Sequence, residues 1–254
     1  MAAVAAVALL GLGVAVDQSR PWRAETDRRP APTPSAGNQP VSPSVAPSRS
    51  PSLSPSASRG AIPPAPRIVS DHLRFGATRK AETAAYAARH YGERTARLRP
   101  TMIVLHYSES DTYASVRSLF EADQPSRGEA PGTCAHYVVE QDGTIHELVP
   151  PSLICRHTVG LNHVAIGIEF VQASHGHGPR SGSQQVLARP AQAAAGVALV
   201  ETLQRRFAIP DQAVIGHAMA NEAKEFRDLA GWRNDHLDWQ APEVAVFRAR
   251  LTTP

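Results

Sequence analysis

The chain has 254 residues, of which 42% are hydrophobic and 19% are charged, and its formal net charge is +3 at pH 7. This apolar fraction is large enough to bury a core, which excludes a wholly disordered protein. The basic residues are scattered along the chain instead of forming a stripe, so the sequence does not indicate a nucleic-acid-binding protein.

The N-terminal quarter divides into an uncharged run and a polar segment. Residues 1–16 (MAAVAAVALLGLGVAV) are short for a membrane span and typical of the apolar part of a secretory signal, although no basic residue precedes them. We predict that they form a signal peptide or a membrane anchor. Residues 17–66 are rich in Pro and Ser and carry few large apolar side chains, so we predict a disordered linker. The expected location is therefore secreted or cell envelope.

The globular part, residues 67–254, alternates between helical and strand patterns. The spacing of its apolar residues predicts helices over 77–94, 112–122, 190–207 and 242–251. Short apolar runs predict strands over 101–107, 165–171 and 213–216. A turn at Asp142-Gly143 predicts a hairpin that joins 135–140 to 144–149. We therefore predict an α/β fold, a single domain with a central mixed β-sheet flanked by helices.

The two cysteines, Cys134 and Cys155, leave two alternatives open. They do not form a C-x-x-C pair, so they do not indicate a zinc knuckle. In an exported chain they form one disulfide if their strands are neighbours, and otherwise they stay reduced and buried.

Three ionisable residues lie within or directly after predicted strands. His106 lies near the end of one strand, Glu169 interrupts the apolar run 166–171, and His217 follows the strand that ends at residue 216. A single residue of this kind is usually a hydrogen-bonded core residue. Three of them are costly to desolvate unless they are paired or bind a metal, so together they indicate a functional site.

Zinc is the metal that fits these residue types. The imidazoles of His106 and His217 with one carboxylate fill three tetrahedral positions and leave the fourth for water, a pattern typical of catalytic zinc. The sequence contains no H-E-x-x-H motif, which argues against a metalloprotease of the common helix-borne kind. The carboxylate could come from any of four acidic residues that spacing alone does not separate, namely Glu169, Asp228, Asp235 and Asp238.

Five short blocks follow one another in the order found in a known enzyme family. They are IVLHYS at 103–108, HYVV with DGTI at 136–145, RHTVGLN at 156–162, IGIE at 166–169 and IGH at 215–217. Over roughly residues 79–239 the chain resembles the zinc-dependent N-acetylmuramoyl-L-alanine amidases of type 2, which share their fold with phage T7-type lysozymes and peptidoglycan recognition proteins. The resemblance implies hydrolysis of the amide bond between N-acetylmuramic acid and the L-alanine of the stem peptide. The expected partner is peptidoglycan or a muropeptide.

The resemblance also implies a zinc ligand set of His106, His217 and Asp238. Relatives carry a polar side chain, often lysine, two residues before the last ligand, where it faces the reacting carbonyl. His236 occupies that position here, and residues two apart in an extended segment point to the same side. His236 is therefore expected to stabilise the developing oxyanion, although a histidine donates only when its ring carries the proton on the correct nitrogen.

Further roles follow from the resemblance for three residues. Some relatives carry a catalytic tyrosine where this chain has Ala135, whereas others use a glutamate that Glu169 matches. Glu169 is therefore expected to be the general base, and the open alternative is that it orients a ligating histidine. His157 and Asn162 match positions that line the groove and contact the substrate.

Two other functions stay open from the sequence. One is a peptidoglycan recognition module that binds the stem peptide without cutting it, although modules of that kind typically lack a zinc ligand. The other is a zinc peptidase that cuts within the stem peptide, which needs the same metal chemistry. We expect no nucleic-acid partner, and contact with a membrane only through an N-terminal anchor.

Overall fold

The computed structural model describes residues 66–252. The predictions for residues 1–16, and for the linker apart from its last residue, lie outside this range. Among the described residues, no helix combines the length and the apolar character needed to cross a bilayer.

A six-stranded mixed β-sheet lies at the centre of the fold. Its strand order is β1-β6-β5-β7-β2-β8, and all neighbouring pairs are parallel except β5 and β6. A separate antiparallel pair is formed by β3 and β4. The strands are β1 Ile68–Ser70, β2 Met102–Tyr107, β3 Pro125–Ser126, β4 Glu129–Gly132, β5 Tyr137–Val139, β6 Ile145–Glu147, β7 Ala165–Phe170 and β8 Val214–Gly216.

Helices flank the sheet. Those of the described part of the chain are α1 Ala77–Tyr91, α2 Tyr113–Glu121, α3 Ser181–Ala188, α4 Pro190–Phe207 and α5 Ala241–Arg248. Short 3-10 helices cover Asp211–Ala213 and His217–Glu222. The predicted fold class, a single α/β domain with a mixed sheet, is confirmed.

Each predicted helix and strand has a counterpart in the structure. Helix α1 ends at Tyr91, earlier than predicted, because Gly92 adopts a left-handed conformation (φ 81°) that terminates helices. Four strands and helices, β1, β3, β4 and α3, were not predicted, and neither were the short 3-10 helices. Strand β1 is only three residues long, the β3–β4 hairpin contains two prolines, and α3 follows a stretch rich in Gly and Ser.

One face of the central strands β2 and β7 is apolar. Ile103 and Leu105 of β2 and Ile166, Ile168 and Phe170 of β7 are completely buried. They belong to one apolar cluster with side chains of α3, α4 and α5. This face supplies the main core.

The opposite face of the same strands turns polar at their carboxyl ends. Val104 pairs with Gly167, and His106 pairs with Glu169 one step further along the parallel ladder. Residues paired across adjacent strands point to the same face. The register therefore brings His106 and Glu169 side by side.

A disulfide joins Cys134 to Cys155, with the two Cα atoms 5.7 Å apart. It links the segment before β5 to the segment that leads into the RHTVGLN block. Of the two alternatives left open by the sequence, the structure has the disulfide.

Candidate metal and catalytic site

Three predicted ligands converge at the carboxyl ends of β2 and β8. The Nδ1 atoms of His106 and His217 are 3.0 Å apart. Asp238 places Oδ1 3.0 Å from Nδ1 of His217 and Oδ2 3.6 Å from Nδ1 of His106. All three side chains are buried, and they form a group that could hold a metal ion.

The backbone brings the ligands together in two ways. His106 lies on β2, and His217 directly follows the neighbouring parallel strand β8, where Gly216 pairs with Leu105. The segment that carries Asp238 then crosses directly over Gly216, because an ideal Cβ on that glycine would lie 1.6 Å from the carbonyl oxygen of Trp239. The amide of Ala218 donates to the carbonyl of Asp238 at 2.9 Å and fixes the crossing.

A hydrogen-bond chain sets the tautomer of His106. Nε2 of His157 lies 3.1 Å from the carbonyl oxygen of Ala165, which can only accept, so this nitrogen carries the proton. Nδ1 of His157 is then an acceptor, and it lies 2.8 Å from the hydroxyl of Thr158 and 3.1 Å from Nε2 of His106. The same hydroxyl lies 3.3 Å from Nε2 of His106 and can accept from it. His106 therefore donates from Nε2 and keeps the lone pair on Nδ1, the atom that faces His217 and Asp238.

The donor set fits zinc. Two imidazole nitrogens and a carboxylate are ordinary ligands of this ion. Burial, and then the neighbouring His217, lower the pKa of His106 to about 4, so its ring is neutral at pH 7 as a ligand must be. Burial disfavours an ionised Asp238, but His217 and His106 hold its pKa far below the usual range. Oδ2 of Asp238 is buried without a hydrogen-bond partner and is free to bind a cation.

Glu169 lies beside the ligand group and lines the same cleft. Its side chain has no hydrogen bond to any described residue, and it is only 8% exposed. Burial, with a smaller contribution from Asp238, raises the pKa of Glu169 to about 8. Without a bound cation this carboxyl group is therefore mostly protonated at pH 7, and the positive charge of a zinc ion beside it would lower its pKa.

His236 lies over the ring of His217. The two rings are stacked with centroids 4.5 Å apart and an interplanar angle of 10°. The His236 side chain is 63% exposed and lines the cleft. Asp235, which directly precedes His236, pairs with Arg127 at 2.5 Å and places Oδ1 3.8 Å from Nε2 of His236.

Asn162 lines a small cleft together with His157, His217 and His236. Its Oδ1 accepts from the amides of His157 and Thr158 at 2.8 and 2.7 Å, and its Nδ2 donates to Tyr91 and Tyr86 at 3.0 and 3.4 Å. These four bonds fill the hydrogen-bonding positions of the amide, and the side chain is buried. Asn162 therefore holds the loop that carries His157, while His157 itself lines the cleft.

The cleft has a volume of about 400 Å³. The site side chains form one wall and the apolar side chains of α2, among them Val116 and Phe120, form the other. Leu119 on that helix is 61% exposed and also faces the cleft. The lining of the cleft therefore combines ionisable and apolar side chains.

Asn234 is a site residue that the sequence did not predict. Its buried side chain donates to the carbonyl of His217 at 3.0 Å and accepts from the amide of His236 at 3.3 Å. Asn234 therefore connects His217 to the segment that carries Asp238. Nothing in the residues around position 234 distinguishes this asparagine from a surface residue.

One family model matches the chain. A family model described as N-acetylmuramoyl-L-alanine amidase matches residues 96–235. No curated protein matches the chain.

Several solved structures are similar to the chain. One is an N-acetylmuramoyl-L-alanine amidase, LysC from Clostridium intestinale URNW, with 19% identity, a TM-score of 0.44, and coverage of 74% of this chain and 99% of that one. A mutant endolysin from Bacillus subtilis has 19% identity and a TM-score of 0.41, covering 63% and 88% of the two chains. The amidase AmiD from E. coli has 23% identity and a TM-score of 0.37, covering 48% and 50%.

Proposed function

The chain belongs to the N-acetylmuramoyl-L-alanine amidase family, and we propose that it cuts the amide bond of its peptidoglycan substrate with a zinc ion held by His106, His217 and Asp238. The enzyme hydrolyses the bond between N-acetylmuramic acid and the L-alanine that begins the stem peptide. One observation carries the zinc proposal: two imidazole nitrogens and a carboxylate face one another at the side of a cleft.

Zinc bound by these three ligands supplies a Lewis acid that activates water and polarises a carbonyl group. Two features of the protein place the donor atoms for such an ion. The His157 hydrogen bond presents the lone pair of His106 Nδ1, and the crossing over Gly216 delivers the carboxylate of Asp238.

Glu169 is the general base in this proposal. It takes a proton from the attacking water and returns it to the amine of L-alanine as the amide bond breaks. Its position beside His106 in the ladder supports this role. The alternative, in which Glu169 orients a ligating histidine, has less support because the histidine that it neighbours is bonded to His157 instead.

His236 donates to the carbonyl oxygen of the substrate as negative charge develops there. Support comes from its exposed ring, which lines the cleft and stacks on a proposed ligand. His157 contacts the substrate from the floor of the cleft and positions His106, whereas Asn162 acts through the loop that it holds.

The enzyme acts on the cell wall, and we propose that residues 1–16 direct its export. The support is the uncharged run itself, whose length suits a secretory signal better than a membrane span. Residues 17–66 would then be a linker that lets the domain reach different parts of the wall.

Mass spectrometry of digested peptidoglycan, combined with metal analysis, tests this proposal. We expect about one zinc per chain, loss of activity with a chelator, recovery with zinc, and products that separate intact stem peptides from N-acetylmuramic acid. Active protein without a bound divalent ion would disprove the zinc proposal. Cleavage inside the stem peptide would identify a peptidase.

A further inference from the structure

A second cleft, of about 460 Å³, lies at the other end of the strands from the candidate site. Its lining includes Val164, which directly precedes β7, whereas Glu169 lies near the far end of that strand. Five residues of extended chain span roughly 16 Å. The two clefts are therefore separate sites.

Three arginines line this second cleft, namely Arg97, Arg99 and Arg227. None of them forms an ion pair with a residue of the described chain, although many other arginines do, such as Arg79 with Asp123 at 3.1 Å. Glu93 is the one acidic residue in the lining. The cleft therefore carries an excess of positive charge.

The arginines are held on fixed backbone. Leu98 is 3% exposed and points into the core, so its neighbours Arg97 and Arg99 point outward on the same side of an extended segment. The amide of Leu98 donates to Ser152 at 2.8 Å, and that of Arg227 donates to Gly160 at 3.0 Å. The backbone that carries the three arginines is therefore fixed by hydrogen bonds.

The floor of the cleft is uncharged. The rings of Tyr91 and His163 stack there with centroids 4.3 Å apart. Burial, and then the charge of Arg227, lower the pKa of His163, so its ring is neutral at pH 7. Three like charges around a neutral floor repel one another, and a bound anion relieves that repulsion.

We propose that this cleft binds a phosphodiester polyanion, the chemistry of an anionic polymer attached to the wall on which the enzyme acts. Guanidinium groups match phosphate oxygens in a bidentate manner, and three such groups around one cleft suit a ligand with repeated charge. The cleft volume lies within the range of ordinary ligand sites. A polymer held there leaves the catalytic cleft free.

Binding of poly(glycerol phosphate) to the full chain, measured by calorimetry across a series of salt concentrations, tests this proposal. The triple variant Arg97→Gln/Arg99→Gln/Arg227→Gln is compared with Arg205→Gln/Arg206→Gln/Arg250→Gln, which removes the same charge from exposed arginines elsewhere. We expect the first variant to bind at least tenfold more weakly with a shallower salt dependence, and the second to change less than threefold.

Equal loss in both triple variants would overturn the proposal, because only net charge would then matter. Absence of binding by the unmodified protein, or equally tight binding of poly(glutamate), would also overturn it. Hydrolysis of a small soluble muropeptide is measured in parallel and should be unchanged in both variants. A failure of the proposed catalytic mechanism is therefore distinguishable from a failure of this site.

Discussion

The two faces of β2 and β7 differ in what their side chains do, although the same twelve residues build both. On one face Ile103, Leu105 and Ile168 are completely buried against helices. On the other, His106 and Glu169 open into a cleft. One face can therefore supply stability while the other carries the chemistry, and substitutions on the two faces should separate these properties.

Asp238→Ala should have the largest effect on the catalytic face. Removing this ligand leaves two protein ligands, so we expect loss of bound zinc and a fall in activity on the order of a thousandfold or more. This fall should exceed the ~10–100-fold loss that usually follows when a residue hydrogen-bonded to a metal ligand is removed. Metal analysis and muropeptide hydrolysis measure both quantities. Asp235→Ala is the matched control and should keep zinc and most activity.

His236→Ala tests whether the roles of oxyanion donor and zinc ligand have been assigned correctly to His236 and Asp238. We expect zinc to remain while kcat falls by roughly a hundredfold to a thousandfold, the usual result of losing one oxyanion donor. If this variant is metal-free and Asp238→Ala keeps its metal, the two roles are reversed.

Glu169→Gln removes the proposed base and keeps the shape of the side chain. We expect zinc content and the unfolding temperature to be retained while kcat falls on the order of a hundredfold or more. Nearly normal turnover would remove Glu169 from the proton-transfer step.

His157→Phe keeps an aromatic ring at this position but removes the nearer of the two acceptors for Nε2 of His106, leaving the hydroxyl of Thr158 at 3.3 Å. We expect zinc affinity to fall by ~10–100-fold. In the metal-free protein, nitrogen NMR should show His106 protonated on Nε2 in the unmodified chain and a mixture of tautomers in the variant. His157→Gln restores an acceptor and should recover part of the affinity. An unchanged His106 tautomer in His157→Phe would contradict this role.

Ile168→Ala tests the opposite face, one residue away from Glu169. We expect a loss of about 2–5 kcal/mol in the free energy of unfolding, because a fully buried side chain leaves a cavity. Zinc content and kcat per folded molecule should change least among all these variants. Denaturant titration and kinetics below the unfolding transition measure the two quantities, and a large fall in kcat would show that the faces are not independent.

Much of the fold was predictable because apolar runs and turn residues carry local information. The strands β2 and β7 and the Asp142-Gly143 hairpin follow from such patterns. The β3–β4 hairpin was missed because Arg156 stabilises it from outside, donating to the carbonyls of Pro131 and Ser126. Contacts of this kind join distant parts of the chain and leave no periodic pattern.

The site shows the same division between local and long-range information. Residue types alone indicated His106, His217 and Glu169, but they did not distinguish the possible carboxylate ligands. In the structure Asp228 bonds to His90, so it is committed elsewhere. The pairing of His106 with Glu169 depends on strand register, which the sequence does not encode in any short motif.

The absence of a side chain at position 216 has a consequence for protein engineering. A designer who transplants the two histidines and the aspartate to another parallel sheet would reproduce the donor atoms but not their arrangement, unless the strand beneath the incoming segment also lacks a Cβ. The carbonyl of Trp239 occupies that space here. The smallest transferable unit is therefore the Gly216-His217 pair together with the segment from Asn234 to Trp239. A design that keeps only the three ligands should hold the carboxylate too far from the two imidazoles to share a metal ion with them.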